Sequence, residues 1–165
     1  MEKTLVLIKP DAVQRGIVGE IITRFEKKGL KLVGMKMLQL GDALLNEHYS
    51  HLTSKPFYKG IADFMKTTPI LACCWEGLDS VNTVRNLTGI TKSREAELGT
   101  IRGDMAMSIQ ANVVHTSDSL ETASVEVPRF FKNNEIFVYD LVLTPYIYST
   151  DERKTKVSNN GTNGD

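Results

Sequence analysis

Residues 70–75 form an unbroken apolar run bounded by Pro69 and Gly77, long enough for a strand at the centre of a sheet and too short for a helix. A second run, residues 4–8, stops at Lys9-Pro10-Asp11. Proline cannot donate to a sheet ladder, so this run reads as a buried strand entering a loop, with Lys9 at its end. Elsewhere the period changes. Over residues 16–28, Ile17, Ile21, Ile22 and Phe25 recur at helical spacing, with Gly29 as the cap. Residues 30–40 predict another strand. Asp42 offers an N-cap to a helix carrying Leu44, Leu45, His48 and Leu52, and a short helix with Ile61, Phe64 and Met65 follows Pro56 to complete a hairpin. Asp79 opens a helix with Val81, Val84 and Leu87 on one side and Gly89 at its end. Residues 112–114 predict a brief strand, and Ser117-Asp118 begins a helix toward Phe131, with Asp118 and Glu121 suited to its positive end. The resulting order, βαββαβ, predicts an α+β fold in a single domain: a ferredoxin-like antiparallel sheet with the helices packed on one face.

A chain of 165 residues can bury a core without staples or metals. That domain is expected over residues 1–148. Residues 149–165 hold too little apolar surface to offset ordering entropy and are expected to be a polar, disordered tail. The 20 Lys and Arg balance 20 Asp and Glu, so no long-range field favours nucleic acid or an anionic membrane, and any anion site must be local. Cys73 and Cys74 are adjacent, cannot join distant segments and lack zinc-site spacing. The apolar N-terminal run is far short of a signal segment or a membrane span. A reduced, cytoplasmic protein is expected.

Neither a G-x-x-x-x-G-K-[ST] loop nor a G-x-G-x-x-G fingerprint is present, so phosphate binding would fall to side chains. Lys9 follows a strand, Arg85 leaves the polar side of a helix, and Arg102 sits in a Gly-rich loop, residues 99–103, that permits close backbone approach. Three cations on separate elements can converge, although each alone reads as an ordinary surface charge. His115 lies between a short strand and an acidic helix start, where a nucleophile is well placed. An imidazole attacks phosphorus only through an unprotonated nitrogen, and Glu126 is a candidate to hold the other nitrogen as N–H. Taken alone, such a histidine is more often structural. His48 and His51 stand three apart but lack a third ligand of matching spacing, so metal ligation is not expected there. Phe57, just after Pro56, suits either stacking on a base or ordinary packing.

Taken together, KPDAVQRGIVGEIITRFEKKGLKLVGMKM, HYSHL, PFYKG, GTIRGD and NVVHTSDS resemble the nucleoside diphosphate kinase family in order and spacing, from about Thr4 to Phe131. NVVHTSDS is similar to that family's active-site signature, N-x-x-H-x-S-D. The resemblance implies that His115 is a phosphorylated nucleophile supported by Glu126 and Ser117. It further implies that Lys9, Tyr49 and Asn112 surround the transferring phosphoryl group and the sugar hydroxyl. Arg85, Thr91 and Arg102 would contact the outer phosphates, Phe57 would stack on the base, and Leu52, Ile61 and Ile109 would line the base slot. Mg²⁺ would be held mainly by nucleotide phosphates, with Asp118 positioning its water shell. The implied ligands are nucleoside di- and triphosphates with broad base tolerance, and the implied assembly is a homo-oligomer, with a hexamer favoured over a tetramer.

The chain departs from the family pattern at Ala12, Thr116 and Leu98, the last in a loop of subunit contacts, and at Pro128. In a continuous helix, Pro128 removes a backbone bond to Ser124, a change of roughly 3 kcal/mol on host–guest scales, and a kink there is expected to displace Glu126. The alternative is thus a catalytically silent nucleotide-binding regulatory protein of the same fold. A nucleic-acid binder would need a basic stripe with exposed aromatics, which the sequence lacks.

Overall fold

The computed structural model describes residues 1–154. In chain order, the strands and helices are β1 (Glu2–Ile8), α1 (Pro10–Gln14), α2 (Val18–Lys27), β2 (Lys31–Leu38), α3 (Asp42–His48), α4 (Tyr58–Met65), β3 (Ile70–Gly77), α5 (Ser80–Thr88), α6 (Ile101–Met105), β4 (Val114–Thr116), α7 (Leu120–Phe130), α8 (Thr144–Ile147) and α9 (Thr150–Lys154). The strands form one antiparallel sheet in the order β2-β3-β1-β4, with Leu5 opposite Cys74 and Leu7 opposite His115. This is the ferredoxin-like arrangement, with both apolar runs as the two central strands.

The helices cover both faces of the sheet, not one as the sequence predicts. Val6, Ile8, Cys73 and Trp75 point into a core closed by Ile21 and Phe25 of α2 and Val84 of α5. Leu5, Leu7, Ala72 and Cys74 point the other way, against Leu45, Ala62, Met65 and Phe130 from α3, α4 and α7. Neither run alternates with polar residues because each strand is buried on both sides. Cys73 and Cys74 are free, one on each face, with burial pushing both thiols up to about 12.

Local chemistry accounts for some element ends. At the close of α2, Leu30 N–H donates to the Phe25 carbonyl at 3.2 Å and Gly29 N–H to that of Glu26 at 2.9 Å, with Gly29 at φ 96°. This is a Schellman cap, which needs a residue tolerant of positive φ. Asp42 and Asp79 do not cap through their carboxylates as expected. Asp42 falls inside α3 and accepts from Lys66 at 2.6 Å, while Asp79 accepts from the Asn82 side chain at 2.7 Å. Residues 10–14, expected as loop, form the short helix α1, with Pro10 supplying a pre-set φ at its first position. The start of the expected tail is the helix α9, and residues 155–165 lie outside the described residues. No helix among the described residues is long and apolar enough to cross a membrane.

Candidate active site

The strand expected at residues 112–114 is displaced because Val113 has φ 65°. Val114 N–H donates across it to the Asn112 carbonyl at 2.8 Å, closing a γ-turn that keeps the chain out of the β region. A β-branched residue at positive φ costs about 1–3 kcal/mol and persists only where its surroundings impose it. Here the Asp11 carboxylate accepts from Val113 N–H at 3.0 Å, and Lys9 N–H donates to the Val113 carbonyl at 2.9 Å. The ladder therefore starts at Val114 and places His115 in the middle of β4.

Behind His115 stands Glu126 of α7. Its Oε1 lies 3.1 Å from His115 Nε2, and its Oε2 accepts from Ser117 Oγ at 2.6 Å. Burial alone would raise Glu126, but the bonds and charge of His115, together with the Ser117 hydroxyl, outweigh it and hold the carboxyl at about 2. An ionised carboxylate can only accept, so Nε2 of neutral His115 carries the proton and Nδ1 keeps its lone pair.

Pro128 does not displace this group. The helix α7 runs through Pro128 to Phe130, and Phe131 N–H still donates to the Val127 carbonyl at 2.9 Å. Ser124 and Pro128 are both exposed, so the missing bond falls on the solvent side, where water can satisfy the freed carbonyl. The cap of α7 is Ser119, whose Oγ accepts from Thr122 N–H at 3.1 Å. Asp118, expected to begin the helix, stands outside it and pairs with Arg85.

Lys9 and Arg102 reach the same cleft from opposite ends of the sequence. The Lys9 ammonium donates to Asn112 Oδ1 at 2.8 Å and to the Gln110 carbonyl, and burial brings it down to about 8. The Arg102 guanidinium donates to the carbonyls of Gly89 at 2.9 Å, Val114 at 2.7 Å and Asn112 at 3.3 Å. Desolvation, with Arg85 nearby, lowers it to about 10, still a cation at neutral pH. Residues 101–105, expected as loop, are the helix α6, with Thr100 Oγ1 accepting from Gly103 N–H at 3.0 Å. The close approach that Gly103 permits is within the chain itself: a Cβ there would lie 2.0 Å from the Glu97 carbonyl oxygen. Asn112 Nδ2 donates to the carbonyls of Ile109 at 2.9 Å and Thr91 at 3.4 Å, tying both loops to Lys9.

The cleft encloses about 1590 Å³, above the ~300–1,000 Å³ of a usual small-molecule site. Lys9, Tyr49, Arg85, Thr91, Arg102, Asn112, His115, Asp118 and Glu126 line it, with Leu52, Phe57, Ile61 and Ile109 adding apolar surface. Phe57 is 56% exposed and Ile109 64%, so both present open apolar area. Ser117 is fully buried and reaches the cleft only through Glu126. Tyr49 is buried and packs its ring against His48.

Three participants have no signal in their own sequence pattern. Asp11 holds the strained turn, Gln110 accepts from Lys9, and His48 packs against His115 with ring centroids 4.5 Å apart. Burial, helped by His115, brings His48 down to about 3, so its ring is neutral, and neither ring nitrogen has a hydrogen-bond partner among the described residues. His51, three residues on, is exposed.

Sheet order, cleft and histidine together define an α+β protein that presents one imidazole, backed by a buried carboxylate, to a cation-lined cleft. The match is narrower still: the family model "Nucleoside diphosphate kinase" covers residues 2–136, and the chain belongs to that family. It is 57% identical over 152 residues to a nucleoside diphosphate kinase of Parabacteroides distasonis, covering 92% of this chain and 99% of that one. It is 47% identical over 148 residues to nucleoside diphosphate kinase 3 of Danio rerio, covering 90% and 88%. A Halobacterium salinarum nucleoside diphosphate kinase, solved in complex with CDP, superposes with a TM-score of 0.87 at 40% identity, covering 89% of this chain and 98% of that one. The chain is therefore an enzyme, a nucleoside-diphosphate kinase by family.

Proposed function

We propose that this enzyme moves the γ-phosphoryl group of a nucleoside triphosphate, typically ATP, to a nucleoside diphosphate through a phosphohistidine on His115. The observation that carries the reading is the His115–Glu126–Ser117 chain of bonds, which leaves the Nδ1 lone pair free on a residue that borders the cleft. In the first half-reaction, Nδ1 forms a bond to the γ-phosphorus as the bond to the β-phosphate bridging oxygen breaks, and the nucleoside diphosphate leaves. In the second, a terminal oxygen of the acceptor diphosphate takes the phosphoryl group and Nδ1 recovers its lone pair. One cleft then serves donor and acceptor in turn, and ping-pong kinetics follow.

Phosphoryl transfer spreads charge over the equatorial oxygens, and preorganised cations stabilise it without moving. Lys9 and Arg102 suit this role because their bonds, to Asn112 Oδ1 and to main-chain carbonyls, fix them while leaving further N–H groups undirected. Arg85 and Thr91 would hold the outer phosphates, and Asn112 and the Tyr49 hydroxyl would hold the sugar and the transferring group. Stacking on Phe57 between Leu52, Ile61 and Ile109 tolerates any base, since each has a π-face. Mg²⁺ prefers oxygen ligands and keeps several waters. Asp118, exposed beside the cleft with Arg85 as its ion-pair partner, fits as an oxygen donor through water. There the ion would neutralise phosphate charge.

A homo-oligomer, for which the family resemblance favours a hexamer over a tetramer, accords with apolar surface left open on one chain. Met35 and Met37 are exposed on the edge strand β2, and Phe137, Val138, Val142 and Tyr146 are exposed near the C-terminus. A cytoplasmic location accords with two unpaired, unreactive cysteines. The experiment is to incubate the protein with Mg²⁺ and γ-labelled ATP, with His115→Ala as control. Acid-labile label that passes to an added diphosphate is expected, and nucleotide binding without label or exchange would leave the silent-binder reading standing.

A further inference from the structure

We propose that His48, His115 and Glu126 form a site for a borderline-soft divalent cation such as Zn²⁺, and that its occupancy switches His115 to an unreactive tautomer. One ligand atom from each residue lies within 4.8 Å of the others. Glu126 Oε1 is 3.1 Å from His115 Nε2 and 3.6 Å from His48 Nδ1. Four-coordinate zinc with bonds of about 2.0–2.1 Å sets its ligand atoms about 3.3–3.4 Å apart, so the two spacings from Glu126 Oε1 are within a few tenths of an ångström of a tetrahedral edge, while the two imidazole nitrogens, within 4.8 Å of each other, close toward that edge as the ion binds.

The second observation is the state of His48. It is 4% exposed, and neither ring nitrogen has a hydrogen-bond partner among the described residues. At 3.6 Å, Nδ1 is beyond hydrogen-bond range of Glu126. Buried polar atoms in native proteins are nearly always satisfied, and an unsatisfied one is destabilising. A cation bound between His48 and Glu126 would satisfy it. Ser117 Oγ already holds the far carboxylate oxygen at 2.6 Å, as an outer partner orients a ligand. All three residues border the cleft, which gives the ion access and a water as fourth ligand. Two imidazoles and a carboxylate suit zinc and not Mg²⁺, which demands oxygen donors.

The chemical consequence follows from counting one proton. Neutral His115 carries its single ring proton on Nε2, bonded to Glu126. A cation on Nε2 takes that lone pair, so the proton moves to Nδ1 through solvent, with no net proton released. The Nδ1 lone pair, on which phosphoryl capture depends, is then gone. Binding rests on the geometry alone, whereas silencing rests also on the phosphoryl-transfer reading.

The test has two arms on the full chain. In the first, Co²⁺ serves as a visible-absorbing probe of tetrahedral sites and is then displaced by Zn²⁺. One equivalent is expected to give a tetrahedral band, lost in His48→Phe and in Glu126→Gln, with zinc affinity falling by more than the ~10–100-fold that losing an outer partner costs. Thermal melting confirms that each variant is folded. A band kept by folded His48→Phe, or lost instead in His51→Gln, overturns the site. In the second arm, ring-nitrogen NMR follows the His115 tautomer, and labelling by Mg²⁺ and γ-labelled ATP is followed at buffered free zinc. The proton is expected on Nδ1 once zinc is bound, with labelling lost in step with occupancy. Undiminished labelling at full occupancy overturns the silencing, and failure to label without zinc overturns the phosphoryl-transfer reading while the cobalt arm still decides the site.

Discussion

Replacing Glu126 in two ways separates its charge from its role as an acceptor. Glu126→Gln keeps a carbonyl oxygen that can accept from His115 Nε2, now 3.1 Å from the carboxylate, and so preserves the tautomer. It removes the negative charge that steadies the ring as phosphorylation makes it cationic. A charge-assisted hydrogen bond is worth about 1.5–3 kcal/mol, and about 1.4 kcal/mol is tenfold in rate. The half-reaction with ATP should therefore slow by roughly 10- to 150-fold. Glu126→Ala removes the acceptor as well and lets the proton sit on Nδ1, so it should be slower again by about another 1–3 kcal/mol, the cost of an unsatisfied buried donor. Rapid-quench measurement of protein-bound label at saturating nucleotide reads the step directly. If Glu126→Gln labels within about twofold of wild type, the carboxylate charge is not acting on the ring. If both variants are equally slow, tautomer control is not a separate contribution.

Other consequences concern stability. His48 titrates at an ordinary 6.5 when unfolded and at about 3 in the fold, so the unfolded chain takes up the proton first and stability declines as pH falls from 6.5 toward 3. Glu126 runs in a lower window: its lowered carboxyl adds stability that is present above 4.5 and lost as pH falls toward 2. Between about pH 6.5 and 4.5, His48 alone of this pair contributes, on the order of 2 kcal/mol. Urea unfolding should show His48→Phe less acid-sensitive than wild type over that range, and equal slopes would refute the assignment. At Val113, φ 65° should reverse the usual order of small residues: Val113→Gly is expected to be more stable than Val113→Ala by about 1 kcal/mol in chemical denaturation. Pro128→Ala restores a donor to the Ser124 carbonyl and should raise stability by up to about 3 kcal/mol. Because Glu126 already lies on His115, the labelling rate should stay unchanged.

Much of the fold is legible in short-range pattern. The unbroken runs at residues 4–8 and 70–75 become the two central strands, and the period through Ile17, Ile21 and Phe25 becomes α2, because burial on a strand or helix repeats at the spacing of the backbone. Their continuity also bears on the layers, since a strand apolar at every position is covered on both faces. The candidate site was legible through the motif around His115, since residues adjacent in sequence share a strand and the turn that presents it. The kink that a local rule predicts at Pro128 does not displace Glu126, because its consequence depends on which side of α7 faces solvent, and a local rule does not contain that.

What the sequence by itself determined is the order of the main strands and helices and the identity of the groups able to do chemistry. Only the tertiary structure decided which of them meet. Lys9 finds Asn112 across 103 residues, Asp11 pins Val113 into a turn that a valine does not favour alone, and His48 comes to lie against His115 and Glu126 with its nitrogens unpartnered among the described residues. Periodicity records how each segment meets water. The chemistry depends on distances of a few ångströms between segments, and those are set only when the sheet closes and both cores pack.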